Sequence, residues 1–259
     1  MIDLHTHLDL YPNALDILAR VNKENIFTLA VTTSPRAWLA TSQVFKGHEN
    51  IKVALGLHPE VADQKFNELN LLLNSIHKAN FIGEIGIDST SRYSKTLEKQ
   101  ELIFDSTIRE CEKAGGRIIS IHSRGAASNI LSIIRKYPSC GTPILHWFSG
   151  SISELKEAIE MRCYFSVNSL MLKSKKGRDL TSRIPSELVL PESDGPFATL
   201  NGKPIMPWEA MDICTDLSKI WNMPISDSKR QMMSNFERLN AHLPTQAHNG
   251  DRLDNLTSV

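Results

Sequence analysis

No excess charge of either sign runs through these 259 residues: 29 Lys and Arg are matched by 29 Asp and Glu. The chain therefore lacks the global basic field that would draw in nucleic acid, and a polyanion could be held only by a local patch. Also lacking is any apolar run near the ~20 residues needed to span a bilayer. No Cys-x-x-Cys pair occurs; Cys111, Cys140, Cys163 and Cys214 are scattered and read as reduced, structural thiols. The first strand-like run begins at Ile2, which leaves no room for the basic and apolar segments of a secretory leader. These absences lead to the expectation of a cytoplasmic protein with no membrane association. No low-complexity segment or linker divides the chain. With 41% hydrophobic residues over this length it can bury one large core.

What is present is a repeating alternation. Short β-branched runs fall at 2–7, 27–33, 51–59, 81–88, 117–124, 142–150, 163–169 and 187–196. Helical spacing fills most of the gaps. The stretch 96–115 places Leu97, Leu102, Ile103, Phe104 and Ile108 among charges and stops at Gly115 and Gly116. At 151–162, Ser151 and Glu154 form a Ser-x-x-Glu capping box. Strands alternating with helices predict βαβ units and a parallel sheet. Eight such units in this length predict an α/β fold, a single (β/α)8 TIM barrel over residues 1–243. Residues 197–208 read as an irregular loop, 209–222 and 226–241 as two more helices, and the polar 244–259 as a disordered tail.

The chemistry lies at the ends of those strands. In MIDLHTHLDL, His5 and His7 alternate with Leu4, Thr6 and Leu8, so an extended strand turns both rings to one face. Later runs carry Glu84, His122, His146 and Asp194 at comparable places. All C-terminal strand ends of a (β/α)8 barrel meet at one mouth. One histidine at a strand end is usually structural; four imidazoles and two carboxylates at one rim point to metal. That is more than one tetrahedral centre holds, so two divalent ions are expected, with Glu84 bridging cations about 3.5–4 Å apart. The mixed nitrogen and oxygen set suits Zn, Mn, Co or Ni and also admits Mg. Such a pair activates water near neutral pH and stabilises charge on a phosphoryl or acyl oxygen. Asp194 and Glu84 are the expected catalytic carboxylates, Asp194 as partner and proton acceptor of the water.

The ordered motifs His-x-His-Leu, GEIGID, IHSR, LHWFSG and ESDGP resemble the TatD-like metal-dependent deoxyribonucleases of the amidohydrolase superfamily, from Ile2 to about Leu243. The resemblance implies His5, His7, Glu84, His122, His146 and Asp194 as metal ligands, with two divalent ions such as Mg, Mn or Zn. It implies hydrolysis of DNA phosphodiesters, often as an exonuclease on single-stranded or end-accessible DNA. GLHP at 56–59 resembles the family's third-strand motif and makes His58 a rim candidate. The chain departs from the family pattern at Trp147, at Ser193, at the segment after Asp88 and at NGKPIMP. The divergent pattern resembles the TatD-like component of Qat anti-phage defence operons, which implies antiviral defence and partner proteins from the operon.

Around the expected metals, Arg124 sits two residues after His122 and can clamp a phosphate. Lys173, Lys175, Lys176 and Arg178 follow the seventh strand on the mouth side, where a neutral protein could hold a polyanion. Trp147 could offer a stacking face to a base, with Phe148 directed to the core. Two other functions fit the same residues: an amidohydrolase or esterase on a nucleoside or aminoacyl-RNA, and a subunit that binds nucleic acid or a partner protein with little turnover.

Overall fold

In the computed structural model, residues 1–241 are described; the expected tail, 244–259, lies outside the described residues, as do the last two positions of the expected barrel segment. The eight expected strands form in order: β1 (Ile2–Thr6), β2 (Phe27–Val31), β3 (Ile51–Ala54), β4 (Phe81–Gly86), β5 (Arg117–His122), β6 (Gly141–His146), β7 (Tyr164–Val167) and β8 (Val189–Pro191). Between them run α1 (Ala14–Lys23), α2 (Pro35–Val44), α3 (Leu69–Ser75), α4 (Leu97–Lys113), α5 (Ala127–Lys136), α6 (Ile152–Glu160) and α7 (Lys175–Thr181). After β8 come α8 (Cys214–Ile220) and α9 (Ile225–Ala241). The fold is the expected (β/α)8 barrel.

All ladders between these eight strands are parallel, and they fall into a three-stranded sheet, β1–β3, and a five-stranded one, β4–β8. The two sheets meet at two seams. At the first, Leu55 bridges Ile82, its N–H donating to the Phe81 carbonyl (3.0 Å) and its carbonyl accepting from the Gly83 N–H (2.9 Å), while Thr32 N–H donates to the Gly83 carbonyl (3.2 Å) and Glu84 N–H to the Thr32 carbonyl (3.1 Å). At the second, Asp194 N–H donates to the His5 carbonyl (2.9 Å) and His7 N–H to the Gly195 carbonyl (2.8 Å). The wholly buried Asp3 carboxylate adds bonds from the Ser193 N–H (2.9 Å) and hydroxyl (2.6 Å). The barrel is thus closed partly by a side chain, next to the expected site.

Local rules account for the helices. The α4 helix gives way to Gly115 and Gly116, both at positive φ, where a Cβ would be strained. The α6 helix begins with the capping box: Glu154 N–H donates to Ser151 Oγ, and Ser151 N–H to the Glu154 carboxylate. Phe148 and Phe165 are fully buried and pack edge to face, with centroids 5.6 Å apart; burying each ring stabilises by about 1.5–3 kcal/mol.

Two expectations are corrected. Residues 197–208 are not wholly irregular, because β9 (Thr199–Leu200) and β10 (Lys203–Pro204) pair antiparallel around Asn201 and Gly202. Both turn residues have positive φ (53° and 75°), the geometry that Asn-Gly supplies to a two-residue hairpin. The helix expected at 209–222 is divided, with 3-10 geometry over Pro207–Ile213 before α8. Several strands also stop earlier than expected, because their mouth-side residues leave the ladder to turn inward; β3 ends at Ala54 rather than Pro59.

Candidate metal centre

The barrel brings the six candidate ligands to one place. His5 lies in β1 and His7 just beyond it; Glu84 is the fourth residue of β4; His122 and His146 end β5 and β6 and are register partners. Asp194 follows β8 in a left-handed turn, φ 48°. His58, just after β3, joins them and lines the same cavity.

Glu84 is the hub. Its Oε2 faces His7 Nε2 at 3.1 Å and His5 Nε2 at 3.4 Å. Its Oε1 faces His122 Nδ1 at 2.8 Å, His58 Nε2 at 3.2 Å and His146 Nε2 at 3.9 Å. Asp194 Oδ1 lies on the Oε2 side, 3.7 Å from His5 Nε2 and 3.9 Å from His7 Nε2. One carboxylate therefore separates two sets of donors. Three clusters lie within metal-holding distance: His5, His7 and Glu84 on one side, His58, Glu84 and His122 on the other, and His5, His146 and Glu192, which links the two.

The arrangement fits a cation better than a self-satisfied polar core. His5 Nε2 and His7 Nδ1 are buried and have no hydrogen-bond partner among the described residues. Leaving such an atom unpaired costs about 1–3 kcal/mol, which a bound ion would offset. The mixed imidazole and carboxylate donors are those that divalent transition metals take.

Other side chains fix the rings. Ser120 Oγ lies 2.7 Å from His5 Nδ1, and Glu192 Oε2 lies 2.8 Å from His146 Nδ1. Glu192 also accepts bonds from the Ser166 hydroxyl and from Asn168 Nδ2 (2.8 Å). Asp88 Oδ2 holds His122 Nε2 at 3.1 Å. Each contact occupies one ring nitrogen with a neighbour from the fold, the usual way proteins orient a ligating histidine. The rings of His5 and His146 stack in parallel, 3.8 Å between centroids.

Electrostatics separates these groups. Burial, and then the neighbouring His146, push His5 down to about 4, which leaves it neutral. Burial works against a charged His146, but Glu192 and then Asp194 outweigh it and raise it to about 10. His122 likewise rises against burial to about 9 through its bonds to Asp88 and Glu84. Although burial favours its protonated form, the imidazoles of His58 and His5 and the bond from His122 hold Glu84 well below the usual carboxylate range. Burial pushes Asp194 up to about 7, so it can take up a proton near neutrality.

The centre opens into a cavity of about 610 Å³ lined also by Arg124, Trp147, Ser149 and Phe197. Arg124 is exposed there. Trp147 is half-buried against the core, its ring perpendicular to that of His146. Of the basic run, Lys176 reaches the rim, donating to the Ser149 carbonyl. The Arg178 guanidinium is turned to the carbonyls of Leu172 (2.8 Å) and Lys173 (3.0 Å) instead. Lys173 and Lys175 are exposed and do not line the cavity.

Sequence reasoning missed Ser120, Asp88, Glu192 and Phe197. The Glu-Ser-Asp run held a signal for Glu192, since residues two apart on a strand share a face. Ser120 gave none, because its role depends on which strand lies across from it.

The family model described as TatD related DNase matches residues 2–240. The chain is 23% identical over 248 residues to the uncharacterized metal-dependent hydrolase YjjV of Escherichia coli, covering 90% of this chain and 95% of that one. It is 28% identical over 147 residues to deoxyribonuclease Tat-D of Schizosaccharomyces pombe, covering 54% of this chain and 46% of that protein. The crystal structure of the E. coli TatD homologue YjjV superposes with a TM-score of 0.81 at 20% identity, covering 92% of this chain and 97% of the other.

Proposed function

The chain belongs to the TatD related DNase family of metal-dependent hydrolases, and from that premise we propose that it hydrolyses DNA phosphodiesters as an exonuclease, with two divalent cations, Mg, Mn or Zn, at the Glu84 cluster. The observation that carries this reading is the divided Glu84 carboxylate, with His5, His7 and Asp194 on one oxygen's side and His122 and His146 on the other's. These six residues would hold the ions, and His58 completes the second set. Bound there, the cations would activate water and neutralise charge developing on the phosphoryl oxygens.

The chain's own residues supply the rest. Glu84 stays ionised and keeps the two donor sets at fixed spacing. Asp194, which lines the cavity beside the cluster, accepts the proton of the attacking water at its carboxylate. Arg124 at the rim holds a non-bridging phosphate oxygen through its guanidinium. Lys176, with Lys173 and Lys175 beyond it, takes the strand's flanking phosphates, whereas Arg178 orders the loop that carries them. Trp147 forms a wall of the substrate cavity.

The departures from the family pattern at Trp147, Ser193 and the 201–207 segment support a finer reading, a role in anti-phage defence beside partner proteins of a Qat-like operon. Plaque formation on cells carrying the operon with His146→Ala in this chain tests it: protection should be lost.

For the activity itself, end-labelled single- and double-stranded DNA is incubated with purified protein after chelation and return of each metal. We expect shortening from the ends that is lost in His5→Ala and in Asp194→Ala while both variants keep the parent's circular dichroism. Digestion at the parent rate by either variant sinks the assignment.

A further inference from the structure

Among the described residues, Phe197 is the one exposed large apolar side chain that lines the cavity. It is 62% exposed, yet it lines the cavity beside His7, Glu84, Asp194 and Arg124. Its position is not that of a loose loop. The turn carrying it is pinned by Ala198 N–H to the Asp194 carbonyl (2.9 Å) and by His7 N–H to the Gly195 carbonyl (2.8 Å), and Ala198 is fully buried. The ring stands perpendicular to the His7 imidazole, centroids 4.9 Å apart, so it is held within one side chain of the candidate ligands while most of its surface stays open.

A fixed, open aromatic face beside a phosphate-binding centre fits one kind of group, a flat heterocycle attached to that phosphate. We propose that Phe197 is the stacking face for the nucleobase adjoining the phosphodiester that is cut, so that this base must leave its helical stack before hydrolysis. The inference rests on the DNA-hydrolase reading and adds the residue that selects an unpaired nucleotide. Trp147 is less suited to this role, because it is half-buried and packed against the core. Protein docking is disfavoured because docking patches are contiguous, whereas the other exposed large apolar side chains of the described residues do not line the cavity.

Base–aromatic stacking contributes enough that truncating the ring should cost about 5- to 150-fold in kcat/KM. The test crosses two changes: Phe197→Ala against parent, and a single-stranded oligonucleotide with an intact reacting nucleotide against one abasic there. Phe197→Ala should lose activity on the intact oligonucleotide, mostly through KM, and change by less than about twofold on the abasic one, where the partner is already gone. Phe197→Tyr should restore the parent value. Retained activity on the abasic strand also establishes that the variant is folded. Equal losses on both strands, or none on the intact strand, overturn the stacking role alone. Failure of the parent to cut any DNA under any metal overturns the hydrolase reading, and this inference with it.

Discussion

Replacing Ser120 by alanine perturbs the centre while leaving every imidazole and carboxylate in place. The serine is fully buried in β5, and the bond to His5 Nδ1 at 2.7 Å is the one its hydroxyl makes among the described residues. Its removal leaves His5 with both ring nitrogens buried and unpaired, since Nε2 already lacks a partner. That should cost about 1–3 kcal/mol in the metal-free protein. For a chain of this size it corresponds to a fall of about 2–12 °C in Tm. With the ring no longer held, affinity for a divalent ion should drop about 10- to 100-fold, the usual effect of losing a partner behind a ligand. Calorimetric titration of Zn and Mn into chelator-treated protein reads the affinity, and scanning calorimetry reads the Tm. Ser120→Thr, which keeps the hydroxyl, should recover most of the affinity. An unchanged affinity with a lowered Tm would mean that the hydroxyl serves packing alone, and the argument that His5 is a held ligand would fail.

Three further outcomes are expected. Burial pushes Asp3 up to about 8, so the folded state holds its proton more tightly than the unfolded chain does; stability should decline as pH rises from about 4 to about 8 and then level off. Asp3→Asn, which can still accept from the Ser193 N–H, should flatten that part of the profile in urea denaturation, and a variant curve as steep as the parent's would refute it. A Cβ on Gly195 would meet Tyr11 Oη at 1.7 Å and the Ile205 carbonyl at 2.2 Å, so Gly195→Ala should destabilise by at least about 1–3 kcal/mol, read as a lower urea midpoint. Glu192→Gln weakens the acceptor behind His146 and should lower divalent-ion affinity about 10- to 100-fold, with little change in far-ultraviolet circular dichroism.

Much of the barrel could be read in advance, because each strand has its own β-branched run and the α4 and α6 helices carry their own stop or cap. The convergence of His5, His7, Glu84, His122, His146 and Asp194 was legible for a topological reason: parallel strands in a ring send all their C-terminal ends to one side. What could not be read depends on lateral neighbours. Ser120 matters because β5 crosses behind His5, and Asp88 because it meets His122 across the β4–β5 ladder. The exposure of Phe197 follows from a turn pinned by backbone bonds from outside its own segment. The ribbon around Asn201 and Gly202 was written in that dipeptide, but Pro204 and Pro207 argued locally against a strand. Arg178 read as part of a basic run, yet two nearby carbonyls claim its guanidinium.

The two seams of the barrel have a mechanical consequence. His5, His7 and His58 hang from the three-stranded half, while Glu84, His122, His146 and Asp194 hang from the five-stranded half. Ions gripped by both groups would rivet the halves together across the seams that the two sheets share. Loading the centre should then stiffen the whole cylinder, and the melting curve of the intact chain becomes a gauge of how well its catalytic heart is filled.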